Sequence, residues 1–126
     1  MEKIGSVAVF GAGIAGMQAA LDLAETGFKV YLVDNKPAIG GVMSQLDKTF
    51  PTNDCAMCIM SPKLVDTGRH PNIEIITNSD LKGIEGEAGS FTVTLKKKAS
   101  FCRRIEMQRV RRLRPEMPCH VAQRIR

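Results

Sequence analysis

The residues able to do chemistry fall in two places. The first is "GAGIAG", which sets Gly11, Gly13 and Gly16 in a Gly-x-Gly-x-x-Gly arrangement. Asp34 stands eighteen residues beyond the last of them. Glycines at this spacing bring backbone against phosphate. Gly11 permits a tight turn, Gly13 has no side chain to hold a pyrophosphate away, and Gly16 lets a following helix lie close to a sheet. Ile14 and Ala15 open that helix, whose N-terminus offers unbonded N–H groups and a positive dipole end. The carboxylate of Asp34 can accept hydrogen bonds from ribose hydroxyls and disfavours a 2′-phosphate, which argues against NADP here. The alternative is a helix-packing turn beside a surface aspartate. The second place is "DCAMC", a Cys-x-x-Cys made by Cys55 and Cys58. Thiols so spaced chelate a metal ion or an iron–sulfur cluster, or form a redox-active disulfide. They can also be two reduced thiols with no chemistry. One pair is half of a four-thiolate site, and Cys102 and Cys119 complete it only if the tail folds back. No catalytic residue is assigned.

The elements that must position these groups are legible in the pattern. "SVAVFG" is a short apolar run ending in glycine, a buried strand. From Ile14 the period becomes helical, with Gln18, Asp22 and Glu25 on one face and Met17, Ala20, Leu21 and Ala24 on the other. Gly27 occupies the place of a glycine that ends a helix. "FKVYLVD" is β-branched and aromatic, a second strand. Together they predict a β-α-β unit with a right-handed crossover and a parallel pair. Residues 35–62 are rich in Pro and Gly, with one short helix expected around Met43–Lys48. "PKLVDTGR" predicts another, with Ser61 as N-cap and Pro62 at its first position. "NIEIIT" predicts a third parallel strand, and "GIEGEAGSFTVTLKKK" a hairpin turning at Gly86 and Gly89. In that hairpin Phe91, Val93 and Leu95 form the half-buried face.

The totals exclude several classes. A chain of 126 residues is the size of one domain. Its net charge of +5 is not spread evenly. From Phe101 onward there are eight Arg against Glu106 and Glu116, whereas the first hundred residues carry nine Lys and one Arg against eleven acids. A uniformly basic domain for nucleic acid is therefore unsupported. No apolar run reaches membrane-spanning length. "MEKIGSVAVFGAGIAG" does not fit a secretion signal, since it has an early Glu and Gly-x-Gly inside the apolar stretch. A cytoplasmic location is expected, and with it metal or redox chemistry for the cysteines before structural disulfides.

"DNKPAIGG" adds Gly40 and Gly41 six and seven residues after Asp34. This resembles the acid-plus-Gly-Gly feature of flavoproteins with two dinucleotide-binding units, the group that includes thioredoxin reductase. There the first unit holds the ADP half of FAD, so the resemblance moves the expected cofactor from NAD to FAD. From about Ile4 to Lys98 the chain closely resembles the flavin domain in the A-subunit of heterodisulfide reductase, and "TFPTNDCAMCIMSPK" is its most specific part. The resemblance implies an iron–sulfur flavoprotein oxidoreductase that passes electrons between FAD and [4Fe–4S] clusters. It also implies other subunits of a heterodisulfide-reductase-like complex as partners. Carried over, Gly11, Gly13, Gly16, Asp34 and Gly41 contact FAD, and Leu81 touches adenine through its backbone. Cys55 and Cys58 are metal-ligand candidates.

The tail poses a separate question. Relatives insert a ferredoxin segment, Cys-x2-Cys-x2-Cys-x3-Cys-Pro, about where this tail begins. Read one nucleotide later, Met107–Gln108 and Met117–Pro118 must each encode Cys. These positions are ten apart, the span of the ferredoxin pattern. Val110 and Leu113 add the middle cysteines if their codons end in G and the following Arg codons begin with C. The tail is then a ferredoxin segment out of frame, with the break between about Lys98 and Arg103. The competing account is a basic arm for phosphates or an anionic membrane, which lacks aromatic residues for base stacking.

The expected fold class is thus α/β. Residues 1–98 should form a partial Rossmann-type FAD-binding half-domain of three parallel strands plus a β-hairpin, and residues 99–126 an irregular tail. The expected role is FAD binding and electron transfer within a larger protein, the fragment being inactive alone. The alternative is a free-standing dinucleotide-binding module with a regulatory or scaffolding role.

Overall fold

The computed structural model describes residues 5–87 and 89–98. Strands β1 (Ser6–Phe10) and β2 (Lys29–Val33) flank helix α1 (Ile14–Glu25). Two short strands, β3 (Lys48–Thr49) and β4 (Asp54–Cys55), precede helix α2 (Ala56–Arg69). Then come β5 (Ile73–Ile76), β6 (Ser79–Glu87) and β7 (Ser90–Lys97). β1, β2 and β5 form a parallel sheet in the order β1-β2-β5, and β6 pairs antiparallel with β7. The expected α/β class, three parallel strands and hairpin are all present. The tail, with its proposed frame break, lies outside the described residues.

The sheet is covered on both faces because β2 alternates. Val30 and Leu32 turn to one side, where they pack with Ala12, Met17, Ala20 and Ala24 of the α1 region and Met60 of α2. Tyr31 and Val33 turn to the other, where Val33 and Ile76 meet Val93 and Leu95 of the hairpin. Period-two side chains on a strand with two covered faces read as a continuous apolar run, as "KVYLV" does. Full burial of each such Val or Leu is worth roughly 1.5–3 kcal/mol.

α1 buries Met17, Ala20, Leu21 and Ala24, the face its period assigns. Its end is a Schellman turn. The N–H of Phe28 donates to the Leu23 carbonyl and that of Gly27 to the Ala24 carbonyl, each at 3.2 Å. Gly27 takes φ 101° there, a conformation that disfavours a side chain.

Three expectations need correction. The helix around Met43–Lys48 is only a 3₁₀ turn, Met43–Gln45, after which Lys48 and Thr49 enter β3 and pair with Cys55 and Asp54. Turn chemistry wins over helical pattern here: Asn53 adopts φ 61° and its N–H bonds the Thr49 carbonyl at 2.8 Å, closing a hairpin. The second correction concerns the start of α2. It begins at Ala56 rather than Pro62, with Cys55 as N-cap, so Ser61 and Pro62 lie inside it. Ala56, Met60 and Thr67 form its buried stripe, and that burial outweighs the intrahelical bond that proline cannot make. Thirdly, Phe91 is 52% exposed while Val93 and Leu95 are buried. Phe91 pairs with Gly86 next to the hairpin turn, outside the cluster that Val93 and Leu95 form with the sheet.

Candidate functional site

The glycine turn leaves β1 and enters α1 within three residues. Gly11 takes φ 98°, and its N–H donates to the Val33 carbonyl at 2.7 Å, holding the turn to β2. A Cβ on Gly16 would fall inside the carbonyl oxygen of Gly11, so α1 can pack on the turn only with glycine there. The expected part of Gly16, close helix packing, is thereby located: the close approach is to the turn's backbone. Gly13 is the N-cap of α1 with extended backbone and no side-chain cap. The first helical bond runs from the Met17 N–H to the Gly13 carbonyl at 2.9 Å. The N–H groups of Ile14, Ala15 and Gly16 therefore precede the intrahelical ladder and are uncapped. Apart from its own neighbours along the chain, no described atom lies within 4 Å of where a Gly13 Cβ would sit. The space a pyrophosphate needs beside Gly13 is open.

Asp34 stands at the end of β2 and is 8% exposed. Its Oδ2 accepts the Ala12 N–H at 2.7 Å and its Oδ1 the Lys36 N–H at 2.8 Å. A carboxylate offers about four lone-pair sites, so acceptor capacity remains for a ribose. Its backbone is fixed as well, with its N–H on the Ile76 carbonyl at 2.9 Å and its carbonyl on the Ser79 N–H at 3.0 Å.

The Gly-Gly loop closes the cradle from the far side. The N–H of Gly40 donates to the Ala12 carbonyl at 2.7 Å. Gly41 takes φ 61°, and a Cβ on it would lie 2.9 Å from the Cα of Gly13. Two backbones thus meet edge to edge at Gly13 and Gly41. Behind them, Met60 packs beside Gly40, which couples α2 to the loop.

A cleft of about 480 Å³ opens beside this arrangement. Of the residues singled out in the sequence, Gly11, Asp34, Gly41 and Leu81 line it. Gly13, Ile14, Ala15, Gly16 and Gly40 build the turn and loop around it but are not among its walls. Asn35, Lys36, Ser79 and Asp80 line it too, and the sequence pattern did not single them out. Their signal was position: two follow the acid and two follow the third strand, the carboxyl ends at which open α/β sheets bind ligands. The donor set offers uncapped N–H groups that suit a phosphate and a carboxylate that suits a ribose hydroxyl, and Leu81 lines the same cleft as that carboxylate.

Cys55 and Cys58 lie apart from the cleft walls, at the start of α2, joined as a disulfide with a Cα–Cα separation of 5.2 Å. Among the described residues no group of three or more His, Cys, Asp or Glu is placed to hold a metal ion. No described helix is long and apolar enough to cross a membrane.

Residues 6–110 match the family model described as FAD dependent oxidoreductase. That match continues past Lys98, the expected end of the resemblance. The chain is 56% identical over 101 residues to the first iron–sulfur A-subunit of CoB–CoM heterodisulfide reductase from Methanopyrus kandleri, covering 80% of this chain and 15% of that protein. It is 59% identical over 96 residues to the A-subunit of the H2/formate:CoB–CoM heterodisulfide, ferredoxin reductase of Methanococcus maripaludis, covering 76% of this chain and again 15% of the relative. The chain thus spans about a seventh of the curated relatives it matches. Among solved structures, thioredoxin reductase of T. acidophilum superposes with a TM-score of 0.58 at 20% identity, covering 70% of this chain and 29% of its own. L-proline dehydrogenase of P. horikoshii gives 0.58 at 24% identity, covering 77% and 20%. These two likenesses concern the fold.

Proposed function

Because the chain belongs to the FAD dependent oxidoreductase family, we propose that its glycine turn, Asp34 and Gly-Gly loop bind the ADP half of FAD in an iron–sulfur flavoprotein like the A-subunit of heterodisulfide reductase. The observation that carries this is the conjunction at one edge of the sheet. The uncapped N-terminus of α1 follows Gly13, which has open space beside it, and Gly11, Asp34 and Leu81 line the cleft next to this turn.

Each group has a defined part. Ile14, Ala15 and Gly16 donate N–H groups to the pyrophosphate, aided by the helix dipole. Asp34 accepts ribose hydroxyls while its bonds to Ala12 and Lys36 hold it in place. The Leu81 backbone meets the adenine edge. When bound, the flavin supplies electron transfer between two-electron donors and one-electron [4Fe–4S] acceptors. The wider activity belongs to the intact protein with its partner subunits, and this chain alone is inactive and retains FAD weakly.

Calorimetric titration of the 126-residue chain tests the cradle. ADP should bind, and its 2′-phosphorylated counterpart should bind at least about tenfold more weakly, a difference of about 1.4 kcal/mol. A folded chain that binds neither ADP nor FAD refutes the cradle. Recovery with stoichiometric yellow flavin refutes the statement that the chain holds FAD weakly alone.

The gene tests the tail. We propose a ferredoxin segment one nucleotide out of frame, with the break between about Lys98 and Arg103, followed by more flavin-domain coding sequence. Codons for Val110 and Leu113 that do not end in G remove the four-cysteine pattern. A downstream region with no such coding sequence supports the free-standing module instead.

A further inference from the structure

We propose that Asn78 is a positioning residue of the cradle. Its left-handed backbone ties the cleft wall that follows Asp34 to the wall that follows β5, and so fixes the aim of the Asp34 carboxylate. This rests on the reading of the cleft as an ADP site.

The ground is an unbroken line of hydrogen bonds. Lys98, just past β7, donates its N–H to the Asn78 carbonyl at 2.6 Å. The Asn78 N–H donates to the Lys36 carbonyl at 3.0 Å. Lys36 in turn donates its N–H to Asp34 Oδ1 at 2.8 Å, and Asp34 Oδ2 accepts the Ala12 N–H at 2.7 Å. The line therefore runs from the end of the hairpin, through Asn78 and the acid, into the glycine turn. Lys36 and Asn35 form one wall of the cleft, and Ser79, Asp80 and Leu81 form another. Asn78 precedes the second wall and holds the first. An ion pair between Lys98 Nζ and Asp80 Oδ2 at 3.0 Å closes the same junction on the side of the hairpin.

The backbone conformation makes this double bonding possible. Asn78 has φ 54°, in the left-handed region that asparagine enters more readily than most side chains and β-branched residues resist. Asn53, at φ 61°, offers a contrast. Its N–H bonds Thr49 within its own short hairpin, as a plain turn residue does. The two backbone bonds of Asn78 both leave its turn, for segments remote along the chain. A residue that merely turned β5 into β6 would not need them.

The test compares Asn78→Val, Asn78→Gly and Val93→Ala with the unsubstituted full chain. Val93→Ala is a stability control, since Val93 is buried in the hairpin cluster and does not line the cleft. Circular dichroism and the urea midpoint establish that each chain is folded. Should Asn78→Val not fold, Asn78→Ala carries the comparison. Two quantities are then read: amide hydrogen exchange by NMR, and the Kd for ADP by calorimetry. In Asn78→Val, exchange at Ala12 and Lys36 should accelerate at least about tenfold more than at Val30 and Leu32 of β2. The Kd for ADP should rise at least about tenfold. Asn78→Gly should stay within about twofold in Kd, because glycine accepts the same φ. Val93→Ala should leave both the exchange pattern and the Kd unchanged even where its urea midpoint falls.

Three results overturn the proposal: exchange that accelerates equally at Ala12, Lys36 and β2, ADP bound as tightly by Asn78→Val as by the unsubstituted chain, or affinity lost equally in Asn78→Gly. An unsubstituted chain that binds no ADP refutes the cradle instead, and the exchange pattern then decides whether Asn78 positions Asp34.

Discussion

Asp34 Oδ2 accepts the backbone N–H of Ala12 at 2.7 Å, tying the end of β2 to the middle of the glycine turn. One buried carboxylate therefore shapes the glycine turn and keeps acceptor capacity beyond its bonds to Ala12 and Lys36. Hydrogen bonds to charged groups contribute roughly 1.5–3 kcal/mol. Asp34→Asn presents an amide where one of two N–H donors needs an acceptor. It should lower stability by about 2 kcal/mol, read as a shift in the urea midpoint at unchanged slope, and weaken ADP binding as well.

Gly16 and Gly13 should separate structure from binding. Gly16→Ala drives a methyl into the Gly11 carbonyl. It should cost about 3 kcal/mol, the upper end for overpacking, and lower the thermal midpoint. Gly13→Ala meets open space and an extended backbone. It should cost no more than about 1 kcal/mol as an N-cap change, yet reduce ADP affinity at least about tenfold by filling the phosphate's place. Equal effects of both variants on stability would contradict the geometry.

Met60 is fully buried, packs beside Gly40 and shares a cluster with Ala12. Met60→Ala should cost about 2–5 kcal/mol. Hydrogen exchange at Gly40 and Gly41 should speed up in the same variant, since the loop loses its backing.

The hairpin gives a paired test. Leu95→Ala removes a side chain from the cluster with Val33 and Ile76 and should cost about 2–5 kcal/mol. Phe91→Ala, at a half-exposed position, should stay within about 1 kcal/mol. A larger loss at Phe91 than at Leu95 would show that the buried hairpin face is assigned wrongly.

Much of the fold was legible because its signals are local. The period of α1 reported its buried face residue by residue. Gly27 reported the end of α1, since few other residues accept that backbone conformation without strain. The start of α2 was not legible. Ser61–Pro62 is a strong local signal for a helix N-terminus, and Cys55 is a weak one. What decided the matter was the stripe of Ala56, Met60 and Thr67 against the rest of the molecule. β3 and β4 were hidden similarly, being two residues each and defined only by pairing with one another.

The sequence by itself determined the β-α-β unit, the three glycines, the acid after β2 and the spacing of the cysteines, because each depends on neighbours along the chain or on a fixed period. Tertiary structure alone decided that Gly41 lies against Gly13, that Met60 backs Gly40, that Asn35, Lys36, Ser79 and Asp80 join the cleft, and that Cys55 caps α2. These contacts join segments that the pattern along the chain does not connect. They arise when helices and hairpin cover opposite faces of one sheet and bring its carboxyl-end loops together.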